Sequence, residues 1–586
     1  MRAAIAGLLG LVLAWNAHAQ TLSISSEPAV LAGAVLGAEP GAASVAVWRE
    51  GKLGVATVRR APDAAAPTQL ATEQALPLFE IGSISKVFTG VLLAQAVEKG
   101  DLSLDDSLGQ LLKGKVEFSS GEVADITLRQ LVTHGSCLPR QFGELRNGPA
   151  IVAQIRTANR AALWAALASQ KLPRTGPCPA LYSNFGMAVV GELLSERYGK
   201  PWNELVRDNI TAPLGMADTV QHLGDKAARF VAAFDGRVSA PAWDMEAFAG
   251  AGALRSTVSD LVLFGRAILA GRNGPLGAAA ERLVTPLGIY RGGEIGYAIF
   301  VSGPPNRRTY SHDGQTGGFQ ALLSLSADTA EVMAVLVGNR QAPMWDMARE
   351  VTASRYPVSG QAMALAPDKL PEYAGVYRVD PELAFVCVVQ DGKLLVRSTR
   401  NVFRAYLPVG VDTFTRPAGG AKITFLRQDK GIVSLRLEQG GNVTDAQRTP
   451  EAAPLQPLLT AELARAYAGR YAATRFLARP SISTCGSKTG RCWSRAAISR
   501  ASPSSRCPAS PTGSATRMRR PSCGSSAMRA ATPRRWCCTR TAHCARSRWA
   551  ILPDAGSAPS RGYNAPITGG VGQAAMPGRL RNTPLT

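Results

Sequence analysis

The sequence predicts an α/β fold, an antiparallel sheet flanked by helices, followed by a small all-β domain. Three observations predict it. Residues 43–48 and 53–58 alternate around Glu50-Gly51 in the pattern of a β-hairpin. The β-rich runs 297–301, 320–325 and 331–337 follow one another closely enough to be adjacent antiparallel strands. From residue 370 to about 450, short β-rich runs (384–389, 393–396, 422–426 and 433–437) alternate with Gly and Asp turns, as in a small barrel or sandwich.

In chain order, Met1-Arg2, the apolar residues 5–15 and Ala17-His18-Ala19 before Gln20 have the layout of a secretory signal peptide over residues 1–19. The apolar stretch is too short for a membrane span and no stop signal follows it. The mature chain is therefore expected to carry no integral membrane segment and to be periplasmic or secreted. No cysteine follows the cleavage position, which argues against a lipid anchor. After the hairpin, Ile81-Gly82-Ser83 leads into Val87, Leu92, Leu93, Ala96 and Val97, a turn running into a buried helix that stops near Gly100. Met187, Val190 and Leu194 mark another helix just after Tyr182-Ser183-Asn184. Small residues within Tyr310-Ser311-His312-Asp313-Gly314-Gln315-Thr316-Gly317-Gly318-Phe319 let an extended backbone approach a ligand closely.

Three pieces carry chemistry: Ser83-Ile84-Ser85-Lys86, Tyr182-Ser183-Asn184 and His312-Asp313-Gly314. Each alone has an ordinary reading, such as a serine and a lysine on a solvated helix face or a core tyrosine beside a turn asparagine. A serine hydroxyl is a weak nucleophile until a neighbour takes its proton. Lys86 lies three residues on, one turn along the same face. A lysine held in an apolar cleft loses part of its preference for charge and can serve as that base. The helix N-terminus favours negative charge developing near the serine. Ser85 has no lysine three residues on, so Ser83 is the candidate nucleophile.

Together and in this order, the three pieces resemble the active-site set of the serine β-lactamase and penicillin-binding-protein superfamily, in its class C-related branch. The resemblance covers roughly residues 28–355 and implies a mainly helical subdomain that closes the cleft. It implies that Ser83 attacks, that Lys86 and Tyr182 move protons, and that Asn184, His312, Gly314 and Gln315 line the substrate site. The N–H groups of Ser83 and Gln315 would then form the oxyanion hole. Class C β-lactamases carry Lys-Thr-Gly where this chain has His312-Asp313-Gly314, and H-x-G resembles the peptidase, aminopeptidase and esterase branches. The implied activity is that of an exported serine hydrolase acting through an acyl-enzyme on amide or peptide bonds, of β-lactam or D-amino-acid peptide type. An esterase, or a penicillin-binding protein that acylates without turnover, is the alternative. The implied partner is a small-molecule or cell-wall peptide substrate.

Further segments resemble the same family. Leu128-Arg129-Gln130-Leu131-Val132-Thr133-His134-Gly135-Ser136 resembles a family segment in which the histidine is structural. Pro213-Leu214-Gly215-Met216-Ala217-Asp218-Thr219 and Gly250-Ala251-Gly252-Ala253-Leu254-Arg255-Ser256-Thr257 resemble family turns read as having no chemistry of their own. Cys137 and Cys178 sit beside family segments near the cleft; an oxidising compartment permits them to pair, and otherwise they remain two thiols. Glu144 precedes Tyr182, where a class A deacylating glutamate would follow it, so it reads as a surface-loop residue. There is no H-E-x-x-H and the five histidines lack ligand spacing, so neither a metal nor another cofactor is expected.

A linker is read over residues 357–369 and a β domain over 370–450, similar to the lipocalin-like domains appended to some of these hydrolases. Tyr373-Ala374-Gly375-Val376-Tyr377 recurs as Tyr467-Ala468-Gly469-Arg470-Tyr471, so a second β copy is read as starting within 460–473. From residue 474 onward the composition breaks: 19 Lys and Arg stand against the single acid Asp554, and seven of the ten cysteines lie there. Such a tail reads as a basic disordered segment, a disulfide module or an out-of-frame stretch of a GC-rich gene. The break just after a recognisable repeat favours the last. Because most of the +22 net charge sits in this tail, the charge implies no nucleic-acid partner.

Overall fold

The computed structural model describes residues 22–453, apart from short internal segments, and three strand segments between residues 469 and 497. The expected signal peptide, the loop around Glu144 and most of the tail lie outside the described residues. In chain order the strands of the first domain are β1 (Gly41–Arg49), β2 (Lys52–Arg60), β3 (Thr68–Gln69), β4 (Phe79–Glu80), β5 (Ala233–Asp235), β6 (Val238–Ala240), β7 (Arg255–Ser256), β8 (Gly288–Tyr290), β9 (Gly293–Ile295), β10 (Phe300–Ser302), β11 (Thr309–Gln315), β12 (Gln320–Ser326) and β13 (Glu331–Val337). Nine of these make one antiparallel sheet in the order β3-β2-β1-β13-β12-β11-β10-β9-β8.

The opening hairpin turns where it was expected. Glu50 and Gly51 both take positive φ (51° and 77°), as a two-residue turn between twisted strands requires, and Arg49 pairs with Lys52. β13 is buried along its whole length because helices cover both faces of the sheet. Ala334 and Leu336 point into the larger core, while Met333, Val335 and Val337 point into a second core under the helices Pro28–Leu36 and Met344–Arg355. The run 297–301 becomes strand only from Phe300, because Ala298 takes φ 57° and turns the chain.

The helix expected after Ser83 spans Ser85–Glu98 and is entered through a 3₁₀ turn, Gly82–Ile84. It is buried on every side over its first ten residues, and Gly100 (φ 73°) follows its end. The helix after Tyr182 spans Asn184–Tyr198, with Ser183 as its N-cap accepting the Gly186 N–H at 2.9 Å. Cys137 and Cys178 are joined by a disulfide, which resolves the choice left open by the sequence.

The second domain is a closed antiparallel barrel of β14 (Gly375–Arg378), β15 (Ala384–Gln390), β16 (Lys393–Ser398), β17 (Arg404–Gly410), β18 (Thr413–Thr415), β19 (Ala421–Gln428), β20 (Gly431–Gln439) and β21 (Asn442–Arg448). Its interior packs Tyr373, Tyr377, Phe414 and Phe425 against one another. The barrel grips the β8–β9 hairpin: Thr444 Oγ1 donates to Arg291 O at 2.8 Å, and Arg291 Nε donates to Asp380 at 2.9 Å. The segments Gly469–Thr474, Pro480–Cys485 and Arg495–Ala497 form a three-stranded antiparallel sheet of their own. No helix among the described residues is long and apolar enough to cross a membrane.

Candidate active site

The 3₁₀ turn Gly82–Ile84 lifts Ser83 to the start of the buried helix, and the helix carries Lys86 inward. Lys86 is fully buried, with Nζ 3.0 Å from Ser83 Oγ and 2.6 Å from Ala251 O. Burial holds its amine well below the ordinary lysine range; the Arg140 charge pushes the same way and Asp313 opposes it. Ser85, the other serine of the motif, is buried and accepts the Leu254 N–H at 3.1 Å, so its oxygen faces the packing and not the cleft.

Tyr182 closes the group from the helical side. Its ring centroid lies 4.9 Å from Lys86 Nζ, 4.8 Å from the Arg140 guanidinium and 4.4 Å from the His134 ring. Burial drives its hydroxyl strongly upward and Asp313 adds to the rise, while Ser83 pulls the other way. His134 is buried, takes φ 61° and accepts the Ser183 N–H on Nδ1 at 3.3 Å. Its carbonyl receives the Leu181 N–H at 2.8 Å, so the segment clamps the chain on both sides of Tyr182. Asn184 begins the following helix, with its N–H on Arg140 O at 2.9 Å.

β11 brings in the third piece. A Cβ on Gly314 would sit 1.9 Å from Ile81 O and 3.1 Å from Ser83 N, so only glycine permits the strand to lie against the serine turn. From the other side, a Cβ on Gly82 would fall 2.9 Å from Gln315 N. Ser83, Gly314 and Gln315 are thus adjacent. His312 is 2% exposed, shares a 2.6 Å hydrogen bond between Nδ1 and Asp313 O, and stacks on Phe300 at 4.9 Å. Burial lowers it to about 3, so it is neutral at working pH. Phe300, Tyr290, His134, Tyr182 and His312 make successive ring contacts that close on themselves beside Ser83.

The structure therefore brings Ser83, Lys86, Tyr182, His312, Gly314 and Gln315 together, with Asn184 starting the helix beside them. Three contributors were missed by reading the sequence. Ala251 lies in a turn read as having no chemistry, yet its carbonyl holds Lys86. Arg140 sits in no motif. Asp313 is the middle residue of H-x-G; desolvation raises its half-buried carboxyl, which lies in the electrostatic reach of Lys86 and Arg140.

Residues 34–355, more than half of the chain, match the family described as Beta-lactamase. The D-alanyl-D-alanine-carboxypeptidase/endopeptidase AmpH of Escherichia coli (strain K12) is 30% identical over 184 residues, 31% of this chain and 46% of that protein. The chain thus spans about half the length of that relative. Penicillin-binding protein 4 of Amycolatopsis lactamdurans is 27% identical over 302 residues, 47% of this chain and 76% of that protein. Among solved structures, a β-lactamase/D-alanine carboxypeptidase from Pseudomonas syringae shows a TM-score of 0.46 at 18% identity, covering 53% of this chain and 93% of that one.

Proposed function

The chain belongs to the Beta-lactamase family, and from that premise we propose that it is an exported serine hydrolase working through an acyl-enzyme on amide or peptide bonds. The observation that carries this reading is the 3.0 Å contact between a fully buried Lys86 amine and Ser83 Oγ. A neutral amine that gives one N–H to Ala251 O keeps its lone pair for the serine proton. Ser83 Oγ then bonds to the carbonyl carbon as its proton passes to Lys86. The oxyanion forms between the N–H groups of Ser83 and Gln315. Tyr182, held protonated by burial, suits a relay in which it gives its proton to the departing amine and regains one from Lys86, which took it from Ser83. Water reverses the sequence and frees the acid.

The substrate classes this reading covers are D-amino-acid peptides, as in the name of the carboxypeptidase relative, and β-lactams. Neutral His312 stands where class C β-lactamases carry a cationic lysine, and Asp313 adds a carboxyl, so the strand offers no counter-charge to the carboxylate of either a penicillin or a D-alanyl-D-alanine terminus. Small esters need none, which favours an esterase as the second reading. The disulfide between Cys137 and Cys178 supports a periplasmic or secreted location. We read the closed barrel as a lipocalin-like appendage.

Intact mass spectrometry of wild type and Ser83→Ala, each mixed with a penicillin, a D-alanyl-D-alanine peptide and a 4-nitrophenyl ester, tests this function. An acyl adduct or turnover in wild type that vanishes in Ser83→Ala is expected. Equal reaction of both proteins would overturn it.

A further inference from the structure

Glu80 is a buried acid that the chemistry of Ser83, Lys86 and Tyr182 leaves unused. It is 3% exposed, ends β4 and lies three residues before Ser83. Its Oε1 accepts the Trp243 N–H at 2.6 Å. Arg255, its cross-strand partner on β7, stands 3.6 Å away but is engaged elsewhere, with Trp243 O at 3.1 Å and Asp244 at 2.8 Å. Three further polar atoms are buried with no close hydrogen-bond partner: Glu80 Oε2, Trp243 Nε1 and Thr316 Oγ1. Buried polar atoms are costly unless they answer one another.

These atoms converge behind the oxyanion strand. A Cβ on Gly317 would fall 2.5 Å from Trp243 Nε1, so the indole backs onto the turn that follows β11. Thr316 and Gly317 directly succeed Gln315, the second oxyanion donor of the proposed mechanism. Glu80 is therefore tied to one donor, Ser83, through three residues of chain, and to the other through Trp243 and Thr316. We propose that Glu80 is a positioning residue for the oxyanion hole, fixing the Ser83 turn against the end of β11. The proposal rests on the assignment of Ser83 and Gln315 given above.

Burial pushes the Glu80 carboxyl up to about 7; the Thr316 hydroxyl, the Trp243 N–H and Arg255 limit the rise, and Asp244 adds to it. Those groups are the charged and polar ones that face it, from β7, the 241–248 segment and the turn after β11. Below that pH the carboxyl is neutral. Above it, a negative charge stands behind the place where the transition state must itself become negative. Acylation should therefore decline as pH rises through about 7.

The test is the rate of Ser83 acylation by 4-nitrophenyl acetate, followed by intact mass from pH 5.5 to 9.5 on the full oxidised chain, for wild type, Glu80→Gln and Thr316→Val. Glu80→Gln keeps the shape without the ionisation, so it should lose the falling limb and gain about tenfold on wild type between pH 6 and pH 9. Thr316→Val removes a hydroxyl that favours the ionised acid, so its falling limb should move to higher pH. Should Glu80→Gln not fold, that shift decides alone. Variant profiles that superimpose on wild type overturn the proposal while leaving the nucleophile assignment standing. A wild type that forms no Ser83 adduct at any pH brings down both.

Discussion

The base role proposed for Lys86 rests on where the helix puts it. With no exposure and a neighbouring Arg140 charge, its amine sheds its proton below the usual lysine range. In Glu80→Gln, which lacks the decline expected through about pH 7, the rate of acylation should accordingly rise with pH to a plateau reached before that range begins. Lys86→Ala should lower acylation by about 10²–10⁴-fold, the ordinary worth of a positioned base. The same shift bears on stability: the unfolded chain binds a proton that the folded one refuses, so folding weakens as pH falls from the ordinary lysine value toward the depressed one. Tyr182→Phe separates the two proposed proton movers. It should slow amide cleavage, whose amine leaving group needs a proton, by about 10²-fold or more, and slow a 4-nitrophenyl ester much less. Stopped-flow assays on paired amide and ester substrates measure the difference. Ser83, Lys86 and Tyr182 could be picked out of the sequence as candidates because the proposed chemistry needs those residue types at that spacing. Ala251 was not, because its part is played by a backbone carbonyl, which every residue has.

At the scale of elements, close approach explains what the sequence could and could not say. Gly314 is the point where β11 meets the serine turn, and Gly314→Ala would drive a methyl to 1.9 Å from Ile81 O. Backbone cannot yield as a side-chain tip can, so a loss of at least about 2 kcal/mol of stability is expected, together with loss of Ser83 labelling. Denaturant unfolding and the intact-mass adduct check both. The opening hairpin, the serine helix and the strands β12 and β13 were readable, since each pairs a clear period with a turn signal. The short strands β8 and β9 were not. They hold three residues each, too few for a period, and are kept in place by partners distant in sequence, Asp380 and Thr444 among them. In the barrel, β15, β16, β19 and β20 were visible as apolar runs, whereas β17 and β21 carry mostly half-buried or polar residues and depend on closure.

Across the whole molecule, the disulfide and the sheet order tie remote stretches together. Cys137 and Cys178 are 41 residues apart, for which loop entropy gives about 4 kcal/mol. Reduction should lower the unfolding free energy by up to about that amount and weaken acylation as well, since the bridge anchors the chain just before Tyr182. Guanidinium unfolding with and without reductant reads the first effect, and the adduct rate reads the second.

The sheet order has another consequence, which belongs to biosynthesis. β1 sits between β2 and β13, so a strand made near the start of the chain finds its second neighbour only after residue 337 has been made. At about 5–20 residues per second, on the order of 15–60 s pass between the two. During that interval the hairpin carries an open, apolar edge at which a foreign strand could add. A chain interrupted anywhere before β13 would thus be a hazard and not a half-built enzyme. Holding the nascent chain unfolded until its final sheet strands emerge is the demand this topology places on the cell.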